Sequence, residues 1–123
     1  MVTIVSSKRK TVSARLLFMM LFFGYFLEKT GNVEAAQQYY LQAIKIAPKT
    51  GAVQNNYATY LCRHGYYQQA ITHFLLAAQD ANYLHVANVY ENAGICALKI
   101  PNKKLAHKYF QTAIQHDPGK ILR

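Results

Sequence analysis

One set of spacings constrains this chain more than any other property. The small residues Gly24, Ala58 and Gly94 stand 34 and 36 positions apart, and the same two intervals separate Gly31, Gly65 and Pro101. Ala36, Ala70 and Ala106 repeat them, as do the aromatics Tyr40, Phe74 and Phe110 and then Ala43, Ala77 and Ala113. Five parallel series sharing one two-residue insertion, near His85-Val86, describe a single unit copied three times. The copies align most clearly in Gln54–Cys62 and Tyr90–Leu98, where pairing Ala58 with Gly94 also superposes Asn56 on Asn92.

Inside each copy the apolar residues follow a helical period. Val33, Ala36, Tyr40, Ala43, Ile44 and Ala47 fall on one face of a helix, and Pro48 stops it because proline has no amide hydrogen to continue the ladder. The apolar run Leu16 to Phe26, behind Lys8-Arg9-Lys10, imitates a secretory signal. No small-x-small cleavage site follows it, and its eleven residues are fewer than the ~20 a membrane-spanning helix needs. It reads as a buried repeat helix ending at Gly31-Asn32, with a signal or anchor remnant as the alternative. The remaining helices are predicted at 33–46, 52–64, 67–79, 86–99 and 103–116, with Lys49-Thr50-Gly51, Gly65-Tyr66, residues 81–85 and Pro101-Asn102 as connections.

A unit of about 34 residues built from two antiparallel helices, with small residues where helices cross and an aromatic on the second helix, is the tetratricopeptide pattern. The predicted architecture is all-α, a tetratricopeptide-repeat α-α superhelix of three helix pairs, at about 16–50, 51–85 and 86–118. A disordered basic lead, 1–15, and a tail, 119–123, flank it. The small residues are expected to let helix backbones approach, and the aromatics to fill the gap to the next unit. Phe18, Phe22, Phe23 and Phe26 at one end, and Tyr109, Phe110 and Ile114 at the other, resemble interior repeats without neighbours. The chain is therefore expected to be part of a longer array or to self-associate through its ends.

The formal charge of +9, from fourteen Lys and Arg against five Asp and Glu, raises the question of an anionic partner. Lys8, Arg9, Lys10, Arg15 and Lys29 place much of that excess near the start. Lys99, Lys103, Lys104 and Lys108 cluster around the third turn, but the aromatics a nucleic-acid platform needs fall on core positions, so no nucleic-acid partner is expected. An RNA-binding module stays as the weaker alternative. No phosphate-binding loop, metal-ligand cluster or nucleophile with a placed base occurs. His64, His73, His85, His107 and His116 have no ligand spacing, so no catalytic, cofactor-binding or metal-ligating residues are assigned and an enzyme is not expected.

Binding by the first-helix face remains. Register puts Asn55, Asn56, Thr59 and Arg63 of one unit opposite Asn88, Glu91, Asn92 and Ile95 of the next. Asn side chains offer both donor and acceptor to an extended peptide, or to each other. The Lys and Arg clamp with which chaperone-tail adaptors of this fold hold a terminal carboxylate is disfavoured: Asn56 matches it, but Leu21, Tyr25 and Asn92 stand at three of its other positions. Cys62 and Cys96 lie on first helices of neighbouring units, either as a bridge in an oxidising compartment or as two buried thiols.

Several stretches resemble a narrower family. Gln54-Asn55-Asn56-Tyr57, Leu61-Cys62-Arg63, Gly65 with Tyr67, Phe74-Leu75 with Ala77, Tyr83, Tyr90-Glu91-Asn92-Ala93-Gly94, Cys96-Ala97-Leu98, Tyr109-Phe110 and Asp117-Pro118 are similar to the type IV pilus biogenesis and stability lipoproteins, the PilF/PilW pilotins. The resemblance covers roughly residues 23–118. It implies a non-enzymatic, periplasmic scaffold at the outer membrane that binds secretin subunits and assists their localisation and assembly, with Cys62 and Cys96 as a disulfide pair. Membrane attachment in that family runs through a lipid-accepting cysteine and its signal, which this sequence does not display, and the family carries more repeats. Set beside it, the chain is expected to be truncated at both ends. The alternative is a general peptide-binding adaptor of the cytoplasm.

Overall fold

The computed structural model describes residues 13–119, and no strand occurs among them. The helices are α1 (Ala14–Lys29), α2 (Val33–Ile46), α3 (Gly51–Arg63), α4 (Tyr67–Ala78), α5 (Val86–Lys99) and α6 (Lys103–His116). Most of the expected basic lead and tail, residues 1–12 and 120–123, lies outside the described residues. The chain divides into two compact units, Met1–Pro48 and Lys49–Arg123, taken here one at a time.

In the first unit α1 starts at Ala14, because the Ser13 hydroxyl accepts from the Arg15 amide at 3.0 Å and satisfies one of the otherwise unpaired first-turn donors. Leu17, Leu21 and Gly24 turn inward against Ala36, Tyr40 and Ala43 of α2. A Cβ built on Gly24 would lie 3.2 Å from the Tyr40 ring, so the glycine leaves a hollow that the ring fills. The Tyr40 hydroxyl reaches Glu28 Oε1 at 3.4 Å. The outer face of α1 leaves Leu16, Phe18, Met19, Phe22, Phe23, Tyr25 and Phe26 exposed. Among the described residues no helix is long and apolar enough to cross a membrane.

The second unit holds two helix pairs. Val53, Tyr57, Ala58, Tyr60 and Leu61 of α3 and Ala70, Ile71, Phe74 and Ala77 of α4 are buried. Phe74 is 1% exposed, and its burial is worth about 1.5–3 kcal/mol. In the second pair, Ala87, Val89, Ala93, Gly94, Cys96 and Ala97 of α5 are buried, as are Ala106, Tyr109 and Ala113 of α6. The Phe110 ring occupies the place where a Gly94 Cβ would sit, with Cε1 2.5 Å from that point. Tyr40 and Phe110 therefore each seat on the glycine of their own pair. Phe74, opposite Ala58 instead of a glycine, lines a cleft with Asn92, Ile95 and Lys99 of the next pair, as expected of an aromatic that fills the gap between units.

The turn series repeats as a hydrogen bond. The amides of Asn32, Tyr66 and Asn102 reach back to the carbonyls of Leu27, Leu61 and Ala97 at 2.8, 2.9 and 2.9 Å. Gly31 and Gly65 allow this closure at φ of +92° and +87°. Pro101, whose ring forbids positive φ, stands at the same register, and Asn102 there caps α6 by accepting from the Leu105 amide at 3.0 Å.

One boundary differs from expectation for an instructive reason. Gly51, read from sequence as part of a connection, opens α3. Its amide donates to Asp80 Oδ2 at 2.7 Å, while Asp80 Oδ1 takes the Asn82 amide at 3.0 Å. A carboxylate 29 residues away thus caps the helix and complements its dipole. Tyr83 packs over the same glycine, 2.5 Å from where a Cβ would be.

Candidate binding cleft

The first helices α3 and α5 meet in the second unit, and their side chains define one open cleft of about 260 Å³. Thr59, Cys62 and Arg63 line it from α3, Asn92, Ile95 and Lys99 from α5, and Tyr67 and Phe74 from α4. The Cys62–Cys96 disulfide ties the last turn of α3 to α5, with Cα atoms 6.0 Å apart. Cys96 is fully buried, and the half-buried Cys62 contributes its side chain to the cleft wall.

Of the residues expected on the groove, Thr59, Arg63, Asn92 and Ile95 come together in this lining. Asn55 stands beside it: its Oδ1 accepts from Asn92 Nδ2 at 3.4 Å, so this pair engages each other across the two helices. Asn55 also hydrogen-bonds the hydroxyl of Tyr83. That hydroxyl is pushed above the usual tyrosine range by burial, which outweighs the lowering by Asn55 and is reinforced by the Asp80 carboxylate. Asn56 is exposed and turns its amide back onto the Ala52 carbonyl at 2.7 Å, while the Thr59 hydroxyl donates to the Asn56 carbonyl at 2.8 Å. Asn88 and Glu91 are half-buried on α5 and do not line the cleft.

Lys99 is the lining cation that sequence reasoning left out of the groove. The signal was present: Arg63 and Lys99 each stand five residues after the aligned small residue, Ala58 or Gly94, and Lys29 stands five after Gly24. Such a cation in the last helical turn also complements the carbonyl end of the helix dipole, which is why the position reads as structural when each helix is taken alone. The lining combines two cations, an amide and a hydroxyl with the apolar Ile95, Phe74 and Tyr67, and contains no carboxylate.

Elsewhere on α3 and α4 the two helices share a part-buried polar contact. The Gln54 side chain, 3% exposed, places Oε1 2.6 Å from His73 Nδ1, so this nitrogen carries the proton. The Tyr57 ring meets the imidazole edge to face at 4.8 Å. Burial holds His73 below the usual histidine range.

The tetratricopeptide repeat model matches residues 19–50. An uncharacterised protein of Haemophilus influenzae is 36% identical over 74 residues, which cover 60% of this chain and 41% of that protein. The solved structure of PilF from Pseudomonas aeruginosa superposes with a TM-score of 0.75 at 23% identity, covering 80% of this chain and 45% of PilF. YrrB, described as a tetratricopeptide-repeat protein with an unusual peptide-binding site, gives 0.74 at 20% identity over 86% of this chain and 54% of its own. The chain thus spans about half the length or less of the proteins it matches. Its fold is the all-α tetratricopeptide-repeat fold.

Proposed function

We propose that this chain is a non-enzymatic protein-binding scaffold of the pilus-assembly kind, one that receives a secretin subunit or another pilus assembly component and assists its localisation and assembly at the outer membrane. The observation that carries the reading is the cleft itself. The two segments that resemble the pilotins most closely, Gln54–Cys62 and Tyr90–Leu98, supply four of its eight lining residues, Thr59, Cys62, Asn92 and Ile95; Arg63 and Lys99 directly follow them, and Tyr67 and Phe74 from α4 complete the wall.

Three further points support the reading. PilF shares the fold. YrrB, of the same fold, is described by its peptide-binding site. A disulfide between neighbouring repeats suits an oxidising compartment such as the periplasm. The test is co-purification: the chain, expressed in the periplasm of a piliated host, is expected to bring down the secretin, and an Asn92→Asp, Ile95→Asp variant that still folds is expected to lose it. Capture of cytoplasmic peptides with no secretin retained would replace this reading with that of a general adaptor.

A further inference from the structure

We propose that the cleft between α3 and α5 selects a carboxylate set beside an apolar side chain, on a partner polypeptide. This rests on the protein-binding reading above and names the chemistry that the cleft would recognise. Arg63 and Lys99 are both exposed, occupy the same register in consecutive repeats, and flank a lining that contains no acid. Two cations facing one cavity favour an anion, and the guanidinium of Arg63 suits the planar, two-oxygen geometry of a carboxylate.

The apolar half of the recognition comes from Ile95, which is 48% exposed, and from the Phe74 and Tyr67 rings in the wall. Its volume of about 260 Å³ lies just below the ~300–1,000 Å³ range of small-molecule pockets. That size fits one or two residues of a chain whose remainder runs over the surface. Asn92 adds an amide that can bond a peptide backbone group, although it is shared with Asn55 at 3.4 Å. The cation positions differ from those of the carboxylate clamp of chaperone-tail adaptors, whose first-unit places hold Leu21 and Tyr25 here.

The carboxylate can belong to a chain terminus or to an acidic side chain, and peptides separate the two. Three fluorescein-labelled peptides are compared by anisotropy: one ending in leucine with a free carboxylate, the same peptide amidated, and an amidated peptide with an internal Asp-Leu pair. Either the first or the third is expected to bind, and the plain amidated peptide to bind at least about tenfold more weakly. The double variant Arg63→Glu, Lys99→Glu is expected to weaken the bound peptide by about tenfold or more, while Lys104→Glu, outside the lining, leaves it within about twofold. Should the reversed pair unfold by circular dichroism, Arg63→Gln, Lys99→Gln is used, with a smaller loss in the same direction. Equal binding of all three peptides, indifference to both double variants, or equally tight binding of a uridine hexanucleotide would each overturn the proposal. The same variants in the secretin co-purification keep the two readings apart: secretin retained by a double variant refutes the carboxylate reading alone, whereas no secretin retained by the unaltered chain refutes the scaffold reading.

Discussion

Breaking the Cys62–Cys96 bridge is the perturbation whose size follows most directly from the structure. The bonded residues are 34 apart in sequence, so the bridge closes a loop that the unfolded chain would otherwise leave open. Chain-entropy reasoning puts that constraint at about 13 cal/mol/K for a loop of this length, or about 4 kcal/mol at 25 °C. Domains are typically stable by only ~5–15 kcal/mol, so the loss removes a large share of the total. The bridge lies wholly inside the second unit, and that unit's transition is the one expected to move. With a urea slope of ~2 kcal/mol/M, reduction should lower the midpoint by about 2 M, and the slope should rise as the unfolded chain expands. The assay is urea unfolding followed by circular dichroism, with and without reductant, and a thiol titration to show that both sulfurs are free. Cys62→Ala, Cys96→Ala should match the reduced protein and ignore reductant. A midpoint that stays put after complete reduction would refute the reasoning.

Other outcomes follow from the same contacts. Gly94→Ala should destabilise by about 1–3 kcal/mol, because the new methyl meets the Phe110 ring at 2.5 Å and the loss exceeds the ~1 kcal/mol gained in helix propensity. Gly24→Ala, with Tyr40 at 3.2 Å, should cost clearly less, and thermal melts giving the reverse order would contradict the packing account. For His73 the pH dependence has a definite sign. The unfolded histidine titrates near its ordinary value of 6.5 and the folded one below it, so between the two the unfolded state holds more protons. Stability is then whole above 6.5 and declines as the pH falls through that window, and His73→Asn should flatten this decline; urea midpoints that fall equally in both proteins count against it. Phe18 and Phe22, 69% and 57% exposed on α1, lead us to expect concentration-dependent self-association in sedimentation velocity, abolished by Phe18→Glu, Phe22→Glu. A single monomer boundary at every concentration would rule that out.

The repeat was legible because its constraints are local and periodic. Gly24, Gly94, Tyr40 and Phe110 recur at fixed intervals since each pair needs one hollow and one ring to fill it. Gly31 and Gly65 recur where the chain takes a positive φ just before the closing amides of Asn32 and Tyr66. What stayed hidden depends on partners distant in sequence. Asp80 reaches the Gly51 amide from 29 residues away, and His73 donates to the buried Gln54 side chain from the next helix. The cleft was half legible. Register gave Thr59, Arg63, Asn92 and Ile95, but Lys99 reads alone as a dipole-complementing helix end until α3 and α5 are brought together. Asn56, assigned to the groove by register, also bonds the Ala52 carbonyl of its own helix.

The central claim is that the α3 and α5 cleft is the face that holds a protein partner. Its most direct test is amide chemical-shift mapping of the labelled chain, titrated with the soluble periplasmic part of the secretin. The account predicts perturbations centred on Thr59, Arg63, Asn92, Ile95 and Lys99 that vanish with the Asn92→Asp, Ile95→Asp variant. Perturbations centred instead on the exposed side of α6, around His107, Lys108 and Gln111, with the cleft amides unmoved, would contradict it.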